Sequence, residues 1–311
     1  MKKQLKIGTR GSLLATTQST WVKKQIEEHH PDCKVELVTI VTKGDKILDV
    51  ALAKVGGKGL FVKELEEALM SGAVDLAVHS MKDVPAELPA PLHLGIIPPR
   101  EDPRDAFIAN EYKSVDELPP HAKVGTSSLR RRAQLAAMRP DLVIEDLRGN
   151  LDTRLRKLDE KKFHAIILAS AGLNRLGMSH RAVNYFSPAE MLPAVGQGAL
   201  GIELRKDDTD LLNSLMFLND EDTAVVVRAE RAFLFRLEGG CQVPIGAYCQ
   251  VDGDRLQLTG LIASVAGDKI IKSSATGTRA AVESLGTELA DELLARGGRK
   301  ILAQYYDIGT E

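Results

Sequence analysis

The sequence predicts an α/β protein built from two α/β lobes and a smaller third domain of the α+β type. Strand-like and helix-like segments alternate over residues 4–98, and a second alternation of the same kind runs over residues 106–169. Such alternation is typical of α/β layers with parallel sheets. From about Asp220 the pattern changes to one helix followed by a run of strands. A chain of 311 residues is long enough for two or three domains.

The first alternation opens with a strand and a helix for which Ser12 provides the N-cap. Within that helix, Trp21, Val22 and Ile26 are predicted to be core residues. A later amphipathic helix is ended by Gly72. The predicted elements are a strand at 4–9, a helix to about 28, a strand at 35–41, a glycine-rich loop over 42–60, a helix at 61–70, and strands at 75–80 and 92–98.

The second alternation follows a proline-rich connection. Its predicted elements are strands at 106–109 and 123–126, a helix at 127–138, a strand at 143–148, a helix at 151–160 and a strand at 164–169. A late strand within 196–204 cannot be placed from its pattern. The third domain is predicted to contain a helix at 221–237, strands joined by an Asp-Gly turn at 252–253, and a last helix at 280–295.

Composition excludes several classes of protein. Net charge is −2, from 41 basic and 43 acidic residues, which gives no overall attraction to nucleic acid or membrane. Cys33, Cys241 and Cys249 are an odd, sparse set without C-x-x-C, so neither a disulfide framework nor a zinc site is expected, and a reducing compartment fits best. The histidines lack metal-ligand spacing, and we expect no metal. No secretory signal or membrane helix is expected either.

Arginine is the first chemical signal. Between Ser128 and Arg156 there are seven arginines and four acids, and several arginines elsewhere also fall at strand ends or first helical turns. Ligands of open α/β sheets bind beyond the carboxyl ends of the strands, where helix N-termini offer N–H groups to anions. The segment G-T-S-S (125–128) suits such an anion site. The set therefore favours an oligoanion ligand, although any single arginine is equally well explained by a solvated helix face. Nucleic acid is not supported, because no aromatic residues are interleaved with the basic ones.

Two loop segments add weaker signals. V-G-G-K-G-L-F (55–61) could bring backbone close to a ligand, with Lys54 and Lys58 near carboxylates, but an ordinary surface loop is an equally good interpretation. H-S-M-K-D-V-P (79–85) places Asp83 beside Lys82 at the end of a strand. By itself that pair also fits a surface ion pair.

Cys241 is the single residue whose sequence context indicates a chemical role most specifically. It follows Gly239-Gly240 after a helix, and the glycines leave room for a large group around the sulfur. Free cysteines are usually small buried hydrophobes, and Cys33 and Cys249 are interpreted that way. A loop cysteine of this kind would instead be a good nucleophile toward a carbon electrophile.

Taken together, these segments resemble the porphobilinogen deaminase (hydroxymethylbilane synthase) family. The resemblance covers nearly the whole chain, in order. Its pieces, beside the cysteine segment, are R-G-S-L-L-A-T-T-Q (10–18), T-K-G-D (42–45), G-G-K-G-L-F-V-K-E-L-E (56–66), H-S-M-K-D-V-P (79–85), R-D-A-F (104–107), G-T-S-S-L-R-R (125–131), L-R-G-N-L-D-T-R (147–154), L-A-S-A-G-L-N-R-L-G (168–177) and P-A-V-G-Q-G-A-L (193–200).

The resemblance implies two periplasmic-binding-protein-like lobes around a cleft and a small α+β C-terminal domain. Its implied boundaries are 1–99 with 200–217, 100–199, and 218–311. It also implies a transferase of tetrapyrrole (porphyrin, haem) biosynthesis. Such an enzyme polymerises four porphobilinogen molecules head to tail, releases ammonia and gives hydroxymethylbilane. The chain would grow on a dipyrromethane cofactor joined to Cys241 by a thioether. A cytoplasmic monomer that binds the small substrate, and neither nucleic acid nor membrane, is expected.

Residue roles are carried over from the resemblance by position. Asp83 would be the catalytic carboxylate that stabilises cationic pyrroles. The implied cofactor contacts are Lys54, Ser80, Lys82, Asp83, Thr126, Ser127, Ser128, Arg130 and Arg131. The implied substrate contacts are Arg10, Ser12, Gln18, Lys58, Arg148, Arg154, Arg175 and Gln197. The rival hypothesis is a two-lobe binding or sensor domain for a small anion, which needs no reactive cysteine.

Overall fold

The computed structural model describes residues 2–46, 62–238 and 243–306. The chain divides into two compact units. The first comprises Met1–Glu101 with Ala199–Ala224, and the second comprises Asp102–Gly198 with Val225–Glu311. Across the described residues, the strands form two five-stranded sheets and one three-stranded sheet.

The first unit is built on a mixed sheet with the strand order β2-β1-β3-β10-β4. β1 is parallel to β2 and β3, whereas β10 is antiparallel to β3 and β4. Leu5, Ile7 and Leu76 lie in its core against Val22 and Ile26. The elements are β1 (Gln4–Thr9), α1 (Leu13–His29), β2 (Lys34–Thr39), α2 (Lys43–Lys46), α3 (Lys63–Met70), β3 (Leu76–Ser80), β4 (Leu92–Ile96), β10 (Leu200–Arg205) and α7 (Thr209–Leu215).

The second unit contains a sheet of the same pattern, with the order β7-β6-β8-β5-β9. β6 is parallel to β7 and β8, and β5 is antiparallel to β8 and β9. The elements are β5 (Asp105–Ala109), β6 (Lys123–Gly125), α4 (Leu129–Met138), β7 (Val143–Glu145), α5 (Leu151–Asp159), β8 (Ala165–Ala169), α6 (Ser170–Arg175) and β9 (Asn184–Phe186).

The C-terminal part of the second unit is a three-stranded antiparallel sheet covered by helices. Phe233 and Leu289 pack with the sheet residues Leu256 and Leu258 in one core. Asp252 pairs with Arg255 across the first hairpin, whose turn contains Gly253 at φ 57°. The elements are α8 (Glu221–Arg236), β11 (Ile245–Asp252), β12 (Arg255–Ala263), β13 (Ile270–Thr278), α9 (Val282–Leu293) and α10 (Arg299–Tyr306). Two α/β lobes and a small α+β C-terminal domain are thus confirmed.

Five details differ from the sequence predictions. α2 lies within the segment predicted to be a glycine-rich loop, and α10 follows the helix that was predicted to be the last. Trp21 is not a core residue, since it is 41% exposed, whereas Val22 and Ile26 of the same helix are buried. The helix predicted at 127–138 begins at Leu129, because the Ser128 hydroxyl accepts a hydrogen bond from the Arg131 N–H and caps it. The sheets are mixed rather than parallel. The late strand that could not be placed is β10, antiparallel between β3 and β4.

In the part of the chain that the structure describes, no helix has the length and apolar character to cross a membrane. The same residues contain no group of three or more His, Cys, Asp or Glu side chains arranged to hold a metal ion. Cys33 and Cys249 are buried free thiols, as interpreted from the sequence.

Candidate active site

In the first unit, predicted site residues gather where the parallel strands end. β1 leads directly into Arg10 and Ser12, and β3 ends at Ser80. A single 3-10 turn over Met81–Asp83 follows, which carries Lys82 and Asp83. Because β1 and β3 are parallel, their carboxyl ends lie at one edge of the sheet. The structure therefore brings these residues to the same edge.

A hydrogen bond joins α1 to the end of β3. Gln18 is buried on α1, and its Nε2 donates to the Ser80 Oγ at 3.0 Å. Ser12 performs a local task, since its Oγ accepts from the Ala15 N–H at 3.3 Å and caps α1. The bond from Gln18 thus helps to fix the segment that leads to Asp83, three residues beyond Ser80.

Arg10 is paired with Asp45, a residue that sequence reasoning did not place in the site. The Arg10 Nε lies 3.1 Å from Asp45 Oδ1. Burial by itself would raise the pKa of Asp45, but hydrogen bonds from Arg10 and Thr42 hold that pKa below its usual range. Asp45 ends the segment T-K-G-D, which was quoted for the resemblance without a role. The available signal was an acid a few residues beyond β2, the strand that pairs with the one leading into Arg10.

In the second unit, the predicted polar residues lie at the corresponding edge of the second sheet. β6 runs into Thr126, Ser127 and Ser128, and Thr126 is buried. The Ser127 hydroxyl donates to the carbonyl of Leu147 at 2.8 Å. This bond ties the turn after β6 to the turn after β7, where Arg148 lies.

Arg130 and Arg131 converge on one buried carboxylate, that of Asp105. Arg130 Nη1 lies 2.7 Å from Asp105 Oδ2, and Arg131 Nε lies 2.9 Å from Oδ1. Asp105 is fully buried, and the two arginines are 3% and 6% exposed. Burial alone would raise the pKa of Asp105, but the two guanidiniums overcome that effect and hold the pKa at about 2. Arg132, next along the helix, instead pairs with the exposed Asp146.

Gln197 completes this buried network. Its Nε2 donates to Asp105 Oδ1 at 2.9 Å and to the Pro103 carbonyl at 2.6 Å. Gly196 and Gly198 on either side have φ of 67° and 91°, a backbone region that glycine adopts readily. Asp105 is the residue that sequence reasoning missed here. Its signal was an acid directly before the apolar strand predicted at 106–109.

The other three predicted arginines also lie at this edge. Arg154 Nε donates to the Gly149 carbonyl at 2.8 Å, which holds it over the turn that starts at Arg148. Arg175, at the end of α6, donates through Nη2 to the Gly198 carbonyl at 2.6 Å. The structure thus brings the turns after β6, β7 and β8 together with the loop that carries Gln197.

Cys241, Lys54 and Lys58 lie outside the described residues. The described flanks of the cysteine segment are held firmly in the second unit. Glu230 on α8 accepts from the Gly196 N–H at 2.7 Å and from the Cys249 N–H at 2.9 Å. A Cβ at Gly246 would lie 3.0 Å from the Pro193 carbonyl oxygen and 3.3 Å from Arg130 Cδ. The strand that follows the cysteine segment therefore packs against Arg130 and the loop before Gln197.

These contacts create a site suited to anions in the second unit. Two guanidiniums face one carboxylate, so the buried network carries an excess positive charge. The Arg130 Nε is buried and has no hydrogen-bond partner among the described residues. The network lies on the first turns of α4, whose N-terminal end favours negative charge. Carboxylates are the matching ligand for arginine.

Comparison with known proteins identifies the family. Residues 5–213 match the family model described as porphobilinogen deaminase, dipyromethane cofactor binding domain. Residues 224–295 match the porphobilinogen deaminase C-terminal domain. The chain belongs to the porphobilinogen deaminase family. It is accordingly a transferase of tetrapyrrole biosynthesis with a dipyrromethane cofactor, and the hypothesis of a sensor domain is not supported.

Similar proteins cover almost the whole chain. The porphobilinogen deaminase of Geobacter metallireducens is 55% identical over 304 residues, which is 98% of this chain and 95% of that protein. That of Geobacter sulfurreducens is 56% identical over 303 residues, 97% of this chain and 95% of that protein. Among solved structures, the methionine-binding protein MetQ matches 75% of this chain and 95% of its own at 15% identity, with a TM-score of 0.45.

Proposed function

We propose that this member of the porphobilinogen deaminase family joins four porphobilinogen molecules head to tail on a dipyrromethane held by Cys241, and that Asp83 is its catalytic carboxylate. The observation that carries the proposal is the buried network of Arg130, Arg131 and Asp105, whose excess positive charge suits a ligand rich in carboxylates. Porphobilinogen carries acetate and propionate groups, and a cofactor made from it carries them too.

The residues present fit such a cofactor. The unpartnered Arg130 Nε and the net positive charge around Asp105 call for an anion. We propose that Lys54, Ser80, Lys82, Asp83, Thr126, Ser127, Ser128, Arg130 and Arg131 hold the cofactor. When bound, the cofactor supplies a free pyrrole α-carbon as the nucleophile for condensation. Thr126 and the Ser128 cap fix the first turn of α4, so Arg131 is oriented before any ligand arrives.

Asp83 supplies the main electrostatic need of the reaction. Porphobilinogen loses ammonia with help from the pyrrole nitrogen's lone pair, which leaves positive charge on the ring. A fixed carboxylate near that charge stabilises the transition state more than the neutral ground state. The 3-10 turn that carries Asp83 is held by the strand end beneath it and by the bond between Gln18 and Ser80. Asp83 is partly exposed, so a substrate can reach it.

The remaining predicted residues are proposed to bind substrate carboxylates. They are Arg10, Ser12, Gln18, Lys58, Arg148, Arg154, Arg175 and Gln197. Support comes from their placement, since the described members lie at or near the carboxyl edges of the two sheets. We further propose the three-domain division at 1–99 with 200–217, 100–199 and 218–311. We also propose a cytoplasmic monomer that binds neither nucleic acid nor membrane.

Intact-protein mass spectrometry tests the covalent part of this proposal. We expect the purified chain, after incubation with porphobilinogen, to carry an adduct of two pyrrole units. Cys241→Ala should lose both the adduct and turnover. Cys33→Ala and Cys249→Ala are matched controls, because both thiols are buried and should leave the adduct in place. An adduct that persists in Cys241→Ala, or a bare chain mass in the wild type after incubation, would contradict the proposal.

A further inference from the structure

The first unit contains a buried cluster of titratable side chains that the proposed reaction does not use. His79 on β3, Glu203 on β10 and Glu66 on α3 are 5%, 1% and 8% exposed. His79 Nε2 lies 2.8 Å from Glu203 Oε2. The cluster lies under the end of β3, four residues before Asp83. Neither Glu66 nor Glu203 was assigned a role above.

Stability alone does not explain this cluster. Burying an ionisable pair loses about as much hydration free energy as the contact between its members returns, and an apolar pair of similar volume is often as stable. The cost here is increased because the other oxygen of Glu203, Oε1, is buried and has no hydrogen-bond partner among the described residues. Burial and the charge of Glu203 also raise the pKa of Glu66 to about 7. A directional hydrogen bond fixes geometry in a way that an apolar contact does not.

β10 supports the turn that carries Asp83. The Met81 N–H donates to the Ala199 carbonyl at 3.0 Å, just before β10 begins. Gly201 lies opposite His79 in the ladder, and a Cβ there would clash with Met81 Sδ. Met81 therefore occupies the space that the missing side chain leaves. The turn rests on β10 through both of these contacts.

The bond between His79 and Glu203 fixes the register of these two strands. In the antiparallel ladder His79 pairs with Gly201, so Glu203 is its diagonal neighbour on the same face. The side-chain bond joins β3 to β10 two residues from the point where Gly201 receives Met81. A displacement of β10 along β3 would carry Met81, and with it Asp83, away from its place.

We infer that His79 and Glu203 are positioning residues for Asp83, acting through β10 and Met81. The inference rests on the proposed role of Asp83. Catalytic groups lose efficiency steeply when displaced, and a shift of 1 Å can cost about 10²-fold in rate. Loss of the tie should therefore lower kcat and leave KM nearly unchanged, because substrate-binding arginines elsewhere are untouched.

Glu203→Leu and Glu203→Gln form the decisive pair of variants. Leu removes the hydrogen-bond acceptor, and we expect a fall in kcat of roughly tenfold to a hundredfold. Gln keeps an oxygen that accepts from the His79 N–H, and we expect it to recover most of the wild-type kcat. KM, the thermal melt and the mass of the bound cofactor are measured on each. Asp208→Asn is the matched control, since Asp208 pairs with Arg205 at the far end of β10.

Gly201→Ala tests the same coupling without altering a charge. Its methyl group presses on Met81, so kcat should fall with KM retained, even if Glu203→Leu does not fold. Wild-type kcat in folded Glu203→Leu or in Gly201→Ala would overturn the inference. The inference would also be overturned if Glu203→Gln lost as much kcat as Glu203→Leu. It would be overturned as well if the loss of kcat matched a fall in melting temperature and in cofactor content.

Asp83→Asn is measured alongside these variants. Wild-type turnover there would defeat the proposed role of Asp83 itself, whereas loss in Asp83→Asn with none in Glu203→Leu defeats only the positioning role.

Discussion

Asp83 is the residue on which the proposed chemistry depends most directly. Asp83→Asn keeps the size of the side chain and removes its charge, so we expect turnover of porphobilinogen to fall by at least about 10²-fold. Asp83→Glu keeps the charge but moves it by one methylene, and it should retain more activity than Asn. Turnover is measured beside a thermal melt. A wild-type rate in Asp83→Asn would mean that Asp83 is only a surface residue. Unfolding of Asp83→Asn would mean that its role is structural.

Asp105 illustrates what sequence reasoning missed at single residues. Arg130 and Arg131 were predicted to contact the cofactor, but Asp105, which both of them bind, was given no role. Both reach Asp105 because its strand lies beneath the first turn of α4, and no local pattern reveals which strand that is. Trp21 fails for a related reason, since apolar character alone does not say which face of α1 meets the sheet.

Of the two acids beside α4, Asp105 should contribute more than Asp146 to the free energy of unfolding. Asp105→Asn leaves two buried guanidiniums without a counter-charge, and we expect a loss of about 3–5 kcal/mol. Asp146→Asn breaks only the exposed pair with Arg132, and it should cost no more than about 1 kcal/mol. Chemical denaturation of both variants at neutral pH makes the comparison. Equal losses would contradict the assignment of Asp105 to a buried network.

The pH dependence of this contribution has a definite sign. The pKa of Asp105 is about 2 in the folded chain, below the roughly 3.9 of an unfolded Asp. Its stabilisation is therefore fully present above about pH 4 and is lost as the pH falls toward 2. The difference in melting between wild type and Asp105→Asn should shrink over that window. A difference that stays constant from pH 7 to pH 2.5 would contradict the low pKa.

At the scale of elements, local patterns predicted most of the structure. Strands and helices in both alternations were found within a few residues of their predicted bounds, because caps and periodicity are local signals. β10 could not be placed, since its partners β3 and β4 lie more than a hundred residues earlier in the chain. The short elements α2, α6, β9 and α7 were not predicted, because three to seven residues carry too little periodicity.

α5 offers a controlled test of the arginines at the carboxyl edge of the second sheet. Arg148 and Arg154 lie around its first turn, whereas the side chain of Arg156 is 69% exposed and pairs with Glu160. We expect Arg148→Leu and Arg154→Leu to weaken substrate binding by about 2–5 kcal/mol, or to change the number of pyrrole units found on the chain by mass spectrometry. Arg156→Leu should keep wild-type kinetics. Unchanged kinetics in all three variants would assign these arginines to the solvated surface.

At the scale of the whole molecule, the sequence predicted the organisation of the chain into its units only in outline. Two alternations and a change of pattern predicted the lobes and the last domain. That residues 199–224 return to the first unit follows from the pairing of β10, and this pairing was implied by the resemblance rather than by pattern. In the second unit, Glu230 and Gly246 join the C-terminal sheet to the loop that carries Gln197. The C-terminal sheet and the buried network around Asp105 thereby belong to one compact body.

This joint construction predicts that cofactor loading stabilises the folded chain. The buried network holds two guanidiniums against one carboxylate, and a tethered anionic group bound only in the folded state should raise its stability. One or two charge-assisted hydrogen bonds would contribute about 1.5–3 kcal/mol each. For a domain of this size each kcal/mol shifts Tm by about 2–4 °C.

Melts before and after incubation with porphobilinogen should therefore differ by several degrees in the wild type. They should not differ in Cys241→Ala, and the shift should shrink in Arg131→Leu. An equal rise in Cys241→Ala would show that free substrate, not the attached cofactor, provides the stabilisation.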